Sequence, residues 1–245
     1  DKIAEKHILK ISGQFTIKNS LIIGSTFIDD KVDKNKSPDK THLKDSKGIP
    51  LLTGKSIKGA IRHRALKILN TIGKSNTLNI IDDLFGNVNE ESKKIERSRI
   101  KSFESKIKNA EQDQLQPRIK IDRFTQGTID SALMKSQPLW HKAEIVEITL
   151  EIENCRQEEA GLLLLVMSDL MNEDLPIGGE KAIGRGVLTG IALNLNGSIL
   201  KDGKPSEGQN AETIPVELSF NKAVITDRDK TETVNSWIHK LNENY

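Results

Sequence analysis

A chain of 245 residues and 27.3 kDa is long enough for one sizeable domain with its own core. Its formal charge of +2 conceals strong local patterning, while a single cysteine, Cys155, excludes a disulfide scaffold and a cysteine-based zinc site and fits a reducing compartment. Aromatics at 4% argue against an RNA-binding sheet built on stacked rings.

The opening DKIAEKHILKI starts polar and does not read as a secretory signal, and the longest apolar run, Ala160–Met167, is too short to span a bilayer. A cytoplasmic protein without membrane contact is expected. KHILKISGQFTIKNSLIIG alternates apolar and polar residues and predicts one or two strands. Residues 25–48 form a polar loop insertion dense in Asp and Lys, too long to be idle in a compact domain.

IPLLTGKSIKGAIRHRALKIL follows, and its TGKS resembles the end of a P-loop. Five residues separate Gly48 from Gly54 where a P-loop has four, and Pro50 removes a backbone donor, so a P-loop-like NTPase stays a remote alternative. LNIIDD, Leu78–Asp83, fits either a strand ending in a magnesium-binding Asp or a helix end. From Lys55 the spacing of Ala60, Ile61, Ala65, Ile68 and Leu69 predicts a helix with one face in the core. Lys55, Lys58, Arg62, Arg64 and Lys67 on that helix, behind a positive dipole end, suit a chain of phosphates; a solvated surface helix is the alternative.

Residues 89–116 are highly charged and read by default as a solvated excursion, in which pairs such as Glu90/Lys94 and Glu104/Lys108 sit at the spacing that supports an exposed helix. PRIKIDRFTQGTIDSALMKSQPLW reads as a loop or hairpin arm carrying Arg118, Lys120 and Arg123; residues 87–142 together form a charged excursion plus this arm. AEIVEITLEIE is a strand, EEAGLLLLVMSDLMN a short buried helix, and TIPVELSFNKAVIT another strand. Between them PIGGEKAIGRGVLTG sets Gly178, Gly179, Gly184, Gly186 and Gly190 around Lys181 and Arg185. Such a loop brings backbone and cations close to phosphate, or is simply a tight turn with bulges. Two basic glycine segments in one domain point to a shared phosphate-lined surface. The order of elements suits a single α+β domain, residues 1–245, with a ferredoxin-like (RRM-like) core widened by insertions.

The remaining candidates are few. The five histidines are scattered without metal-ligand spacing, and only His42, in the acidic loop, is a candidate for catalysis. Phe124, Met134 and Trp140 are candidates to stack on or wedge between bases, with core burial the alternative for Trp140. Ser56 has no evident His/Asp partner that would make it a nucleophile.

Four segments, in order, resemble a known family. IPLLTGKSIKGAIRHRAL is similar to the IPGSSLKGALR segment of the RAMP superfamily of CRISPR-associated proteins, and PIGGEKAIGRGVLTG to its C-terminal GG…RGxG loop. DDLFG and RIKIDRFTQGTIDSALMKSQPLW resemble further segments of the backbone (Cas seven type) subunits of type III effector complexes. Leu52-Thr53 depart from the family's usual Pro-Gly. The resemblance implies a ferredoxin-like fold that polymerises along a CRISPR guide RNA, with a thumb-like arm inserted into the guide–target duplex. It implies RNA contacts at Lys55, Ser56, Lys58, Arg62, Arg64, Arg118, Arg123, Phe124, Lys181 and Arg185, and no metal site of the protein's own. The expected partners are guide RNA, target RNA, and other RAMP-type and large subunits. It further implies that a loop Asp cuts the target RNA, Mg²⁺ assisting when RNA is bound. Asp39 takes that place, six residues before Asp45, with Asp29, Asp30 and Asp33 nearby. A non-catalytic scaffold subunit of the same kind of complex is the alternative.

Overall fold

Alternating burial builds the centre of the molecule. In the computed structural model, which describes residues 7–25, 38–89, 94–110, 114–130, 132–142, 144–201, 212–221 and 228–244, five antiparallel strands form one sheet. They are β1 (Ile8–Ile17), β2 (Ile100–Ser102), β3 (Val146–Glu153), β4 (Leu188–Leu200) and β5 (Thr213–Asn221), in spatial order β5-β4-β1-β3-β2. Leu9, Ile11, Phe15 and Ile17 of β1, and Val146, Ile148, Leu150 and Ile152 of β3, are buried at every second position, as a sheet with one covered face requires.

Helix α1 (Gly54–Thr71) carries the chain from β1 towards β2, with α2 (Thr77–Phe85) following it; α3 (Gln157–Met171) joins β3 to β4, and α4 (Arg228–Asn244) packs on α3. Strands joined through α1 and through α3 each leave room for one antiparallel neighbour between them. This is the split βαβ arrangement of a ferredoxin-like fold, extended by β5 and α4. Twelve of the fifteen residues of α3 are buried, which makes it the central helix of the layer.

The charged stretch 89–116 differs from expectation. Its described residues form short strands rather than an exposed helix, and β2 of the main sheet comes from it. Ile100, Ser105 and Ile107 are buried, and Ser105 and Ile107 alternate with exposed neighbours. That period of two outweighs the charge pairs that favour a helix. Leu78–Asp83 lies in α2 and is not a strand. Asp83 pairs with Arg99 and Arg156, both at 2.9 Å, and both arginines also bond the fully buried carboxylate of Glu159. The network ties α2, the residue before β2 and the start of α3 together, so loss of any one member strands a buried charge.

A smaller four-stranded sheet sits beside the core. Its order is Gly24–Ser25, Lys40–His42, Met134–Gln137 and Gln116–Arg118, so residues on either side of the acidic loop meet the root of the expected arm. From its last two strands, Gln116–Arg118 and Met134–Gln137, a hairpin projects, closed by an Ile121–Thr128 bridge.

Candidate nucleic-acid interface

The TGKS segment is a helix start. Thr53 has extended backbone and its hydroxyl oxygen accepts the Ser56 N–H at 3.4 Å, the bond an N-cap makes to satisfy an otherwise unpaired donor. Gly54 is required by a close approach, since a Cβ there would lie 2.4 Å from the Ser102 carbonyl oxygen. Between Gly48 and Gly54, Leu51–Leu52 pair as a strand with Ser105–Lys106. Their N–H groups therefore do not wrap a phosphate, and the P-loop reading fails on geometry.

Across from this helix start lies the glycine loop. A polar groove of about 300 Å³ is lined by Lys55, Ser56, Gly59 and His63 on α1 and by Gly178, Gly179 and Lys181 on the loop. Gly178 has φ +90, and a Cβ there would lie 2.5 Å from the Ile22 carbonyl oxygen; the next N–H, of Gly179, donates to that same oxygen at 2.8 Å. The loop is thus pinned flat against the chain leaving β1, leaving Lys181 exposed at the rim. The groove continues along α1, because a second depression shares His63 with it and a third shares Lys67 and Thr71 with the second.

The cations of α1 divide into two groups. Lys58 donates to the Ser98 hydroxyl at 2.6 Å, Arg62 pairs with Asp82 at 2.9 Å, and Arg64 pairs with Asp169 at 2.6 Å. These three fasten α1 to its neighbours. Lys55, His63, Lys67 and Lys181 make no ion pair among the described residues. Lys55 and Lys67 are twelve residues apart, about 18 Å of helix, a stretch of several nucleotides.

The second glycine-loop cation is turned inward. Arg185 is 2% exposed; its guanidinium bonds Gln116 and Ser136, the latter at 3.1 Å, and its Nε lies 3.4 Å from Glu180. Burial pulls this guanidinium below the usual arginine range, with Glu180 opposing the shift. Arg118 meets the same Glu180 at 2.6 Å. The structure therefore brings Arg118 and Arg185 together at the root of the hairpin, where Arg185 faces the arm rather than solvent. Arg123 and Phe124 sit apart from them, at the tip. The Asp122 carboxylate accepts the N–H groups of Phe124 and Thr125 and shapes the turn, and Phe124 is 93% exposed. Trp140 pairs with Ser20 across a short ladder and is half-buried.

Of the acidic loop, Asp29, Asp30 and Asp33 lie outside the described residues. Asp39 is exposed at the base of the arm: its N–H donates to the Lys135 carbonyl at 2.8 Å, and its carboxylate accepts the Lys135 N–H at 2.7 Å. Asp45 organises a turn by accepting the N–H groups of Lys47 and Ile49, both at 2.9 Å, and pairs with Lys106 at 3.0 Å.

His42 is not a catalytic group. It is buried, its Nδ1 accepts the Ile23 N–H at 3.1 Å, and its Nε2 donates to the Leu51 carbonyl at 2.9 Å. Burial pulls its pKa down from 6.5 to about 4. The neutral ring is the folded form, so its contribution is complete above pH 6.5 and is lost as pH falls through about 4. The expected loss is about 3 kcal/mol across that window. Denaturant midpoints measured from pH 7 to 4 should show a steeper decline for the native chain than for His42→Asn; parallel declines would contradict this.

The model of the RAMP superfamily matches residues 14–189, which span β1 to the start of β4 and include the groove, the arm and the glycine loop. The chain belongs to the RAMP superfamily. No curated protein matches it in sequence. RAMP membership makes it a CRISPR-associated protein of an RNA-binding family, with RNA and other CRISPR components as its kind of partner. Among the described residues no helix is long and apolar enough to cross a membrane.

The sheet of this RAMP protein differs in surface from that of an RRM. The uncovered face runs in cross-strand rows: Lys101–Glu151–Lys10–Asn196–Glu217, Thr149–Ser12–Asn194–Ser219, and Glu147–Gln14–Ala192–Asn221. The rows hold no ring to stack a base and more carboxylates than cations, which repels a phosphate chain. Sequence reasoning passed over Glu180, Gln116 and Ser136 as site residues and gave Gly59 no role. A glycine in the middle of a helical pattern was the visible signal for Gly59, and the structure leaves open space where its Cβ would lie.

Proposed function

We propose that the chain is a guide-RNA-binding backbone subunit of a type III CRISPR interference complex, and that it cuts the paired target RNA with Asp39. The observation that carries the reading is the groove in which Lys55 and Ser56 of a capped helix start face Lys181 of the glycine loop, beside a hairpin arm tipped by Phe124. A helix start and lysines that make no ion pair among the described residues suit a phosphate backbone of any sequence, which is what a guide channel must accept. An exposed ring on a narrow hairpin suits insertion between bases.

For cleavage, the Asp39 carboxylate takes the proton of the ribose 2′-hydroxyl next to the scissile phosphate. The 2′-oxygen bonds to phosphorus as the bond to the 5′-oxygen breaks, and water returns a proton to that leaving oxygen. The products are a 2′,3′-cyclic phosphate and a 5′-hydroxyl. Among the described residues no three carboxylate, His or Cys side chains gather to hold a metal. Among the described residues of the acidic loop, Asp39 is the carboxylate placed to hold Mg²⁺ with RNA phosphates completing the shell; a bound ion would offset charge on the phosphate oxygens. The scaffold-only alternative has one observation in its favour: the Asp39 carboxylate already holds the Lys135 N–H at the arm root.

Purification of the native complex through this subunit, followed by sequencing of the RNA it carries, tests the reading. Enrichment of CRISPR guide sequences is expected. A complex free of RNA, or carrying bulk cellular RNA in proportion to its abundance, would overturn it.

A further inference from the structure

We infer that Glu180 is a positioning residue that locks the root of the hairpin arm to the floor of the RNA groove. Glu180 stands between Gly179 and Lys181, both groove-lining, and has left-handed backbone, φ 57 and ψ 35. A non-glycine residue is held there only when its surroundings compensate. Its side chain, 12% exposed, supplies the compensation. One carboxylate oxygen meets Arg118 at 2.6 Å and Lys40 at 3.7 Å, and the other lies 3.4 Å from Arg185 Nε.

Those three cations come from three separate places. Arg118 ends the first strand of the arm, Lys40 follows Asp39 on the strand that enters from the acidic loop, and Arg185 belongs to the glycine loop itself. Arg185 then reaches Gln116 and Ser136, one on each strand of the arm root. A single carboxylate thus collects the arm, the Asp39 strand and the groove loop. With one anion among three cations the cluster keeps a surplus of positive charge. Among the described residues Arg118 Nε, Arg185 Nη1 and Glu180 Oε2 are buried without a hydrogen-bond partner, so Glu180 acts on Arg185 through charge, alongside the bonds Arg185 makes to Gln116 and Ser136. The consequence for RNA rests on the reading above: a guide in the groove and a wedge at the arm tip keep one fixed angle because Glu180, together with Arg185, makes loop and arm a single body.

Amide hydrogen exchange on the full RNA-free chain tests the lock without assuming RNA. In Glu180→Gln, the backbone amides of Gln116, Arg118 and residues 134–137 should exchange about tenfold or more faster, while β1 and β3 stay protected as in the native chain. Arg118→Gln spares the Glu180–Arg185 pair and should give the same pattern more weakly, which separates release of the arm from failure to fold. Native exchange at the arm root in both variants would overturn the inference, and so would equal loss of protection throughout the sheet in both. Binding of a uniform single-stranded RNA, measured in parallel, reports on the groove alone; its absence would remove the RNA reading and leave the exchange result standing.

Discussion

Replacing Asp39 by Ala is expected to reduce cleavage of a matched target RNA by about 10²–10⁴-fold, the usual contribution of a general acid–base group, with guide and target binding nearly intact. The guide duplex orients the scissile phosphate, so the carboxylate need supply little binding energy. Asp39 also accepts the Lys135 N–H, so Ala alone confounds chemistry with a loosened arm root. Asp39→Asn keeps an acceptor for that bond and removes the base. If the reading holds, Asn and Ala lose cleavage equally, products of the native complex end in 2′,3′-cyclic phosphate, and a target with 2′-deoxyribose at the cut resists. Asp45→Ala, which breaks a turn, should act on stability first. Full cleavage by an Asp39→Asn complex would remove the residue from the chemistry and leave the scaffold reading.

Changing Lys55, Lys67 and Lys181 together to Ala should weaken binding of single-stranded RNA without regard to base sequence. Each lost phosphate contact lowers the slope of log affinity against log salt by about 0.7, so three lower it by about 2. Thermal stability should stay close to native, because none of the three makes an ion pair among the described residues. The paired set should behave in the opposite way. Arg62→Ala and Arg64→Ala unpair Asp82 and Asp169, so stability moves more than the salt slope does. A salt slope unchanged in the lysine variant would place the RNA elsewhere on the molecule.

The strands that alternate over eight or more residues, β1, β3 and β5, and the apolar run of α3 were readable from the sequence because their burial period is written in them. β2 was not, since three residues inside a charged stretch carry no period of their own and only its ladder with β3 makes it a strand. α4 also went unassigned, although Val234, Trp237 and Leu241 recur at helical spacing. In the site, Lys55, Ser56 and Lys181 were legible because glycines and cations adjoin them in sequence. Arg185 has the same local signature and a different fate: two of its partners, Gln116 and Ser136, lie 69 and 49 residues away. A cation between glycines looks alike whether it serves a ligand or its own fold; long-range pairing decides, and pairing is not local information.

The hairpin tip bears on how the protein behaves without a partner. Phe124 is almost bare, and Ile119, Ile121 and Leu133 along the same arm are each more than half exposed. A monomer displaying such side chains on a projecting element is colloidally sticky. Charges at Lys120, Arg123 and Asp130 on the same arm act as gatekeepers, yet they flank the apolar residues without covering them. Synthesis in excess of its RNA partner would therefore favour clumping through the arms, and dilution or co-expression with RNA should suppress it.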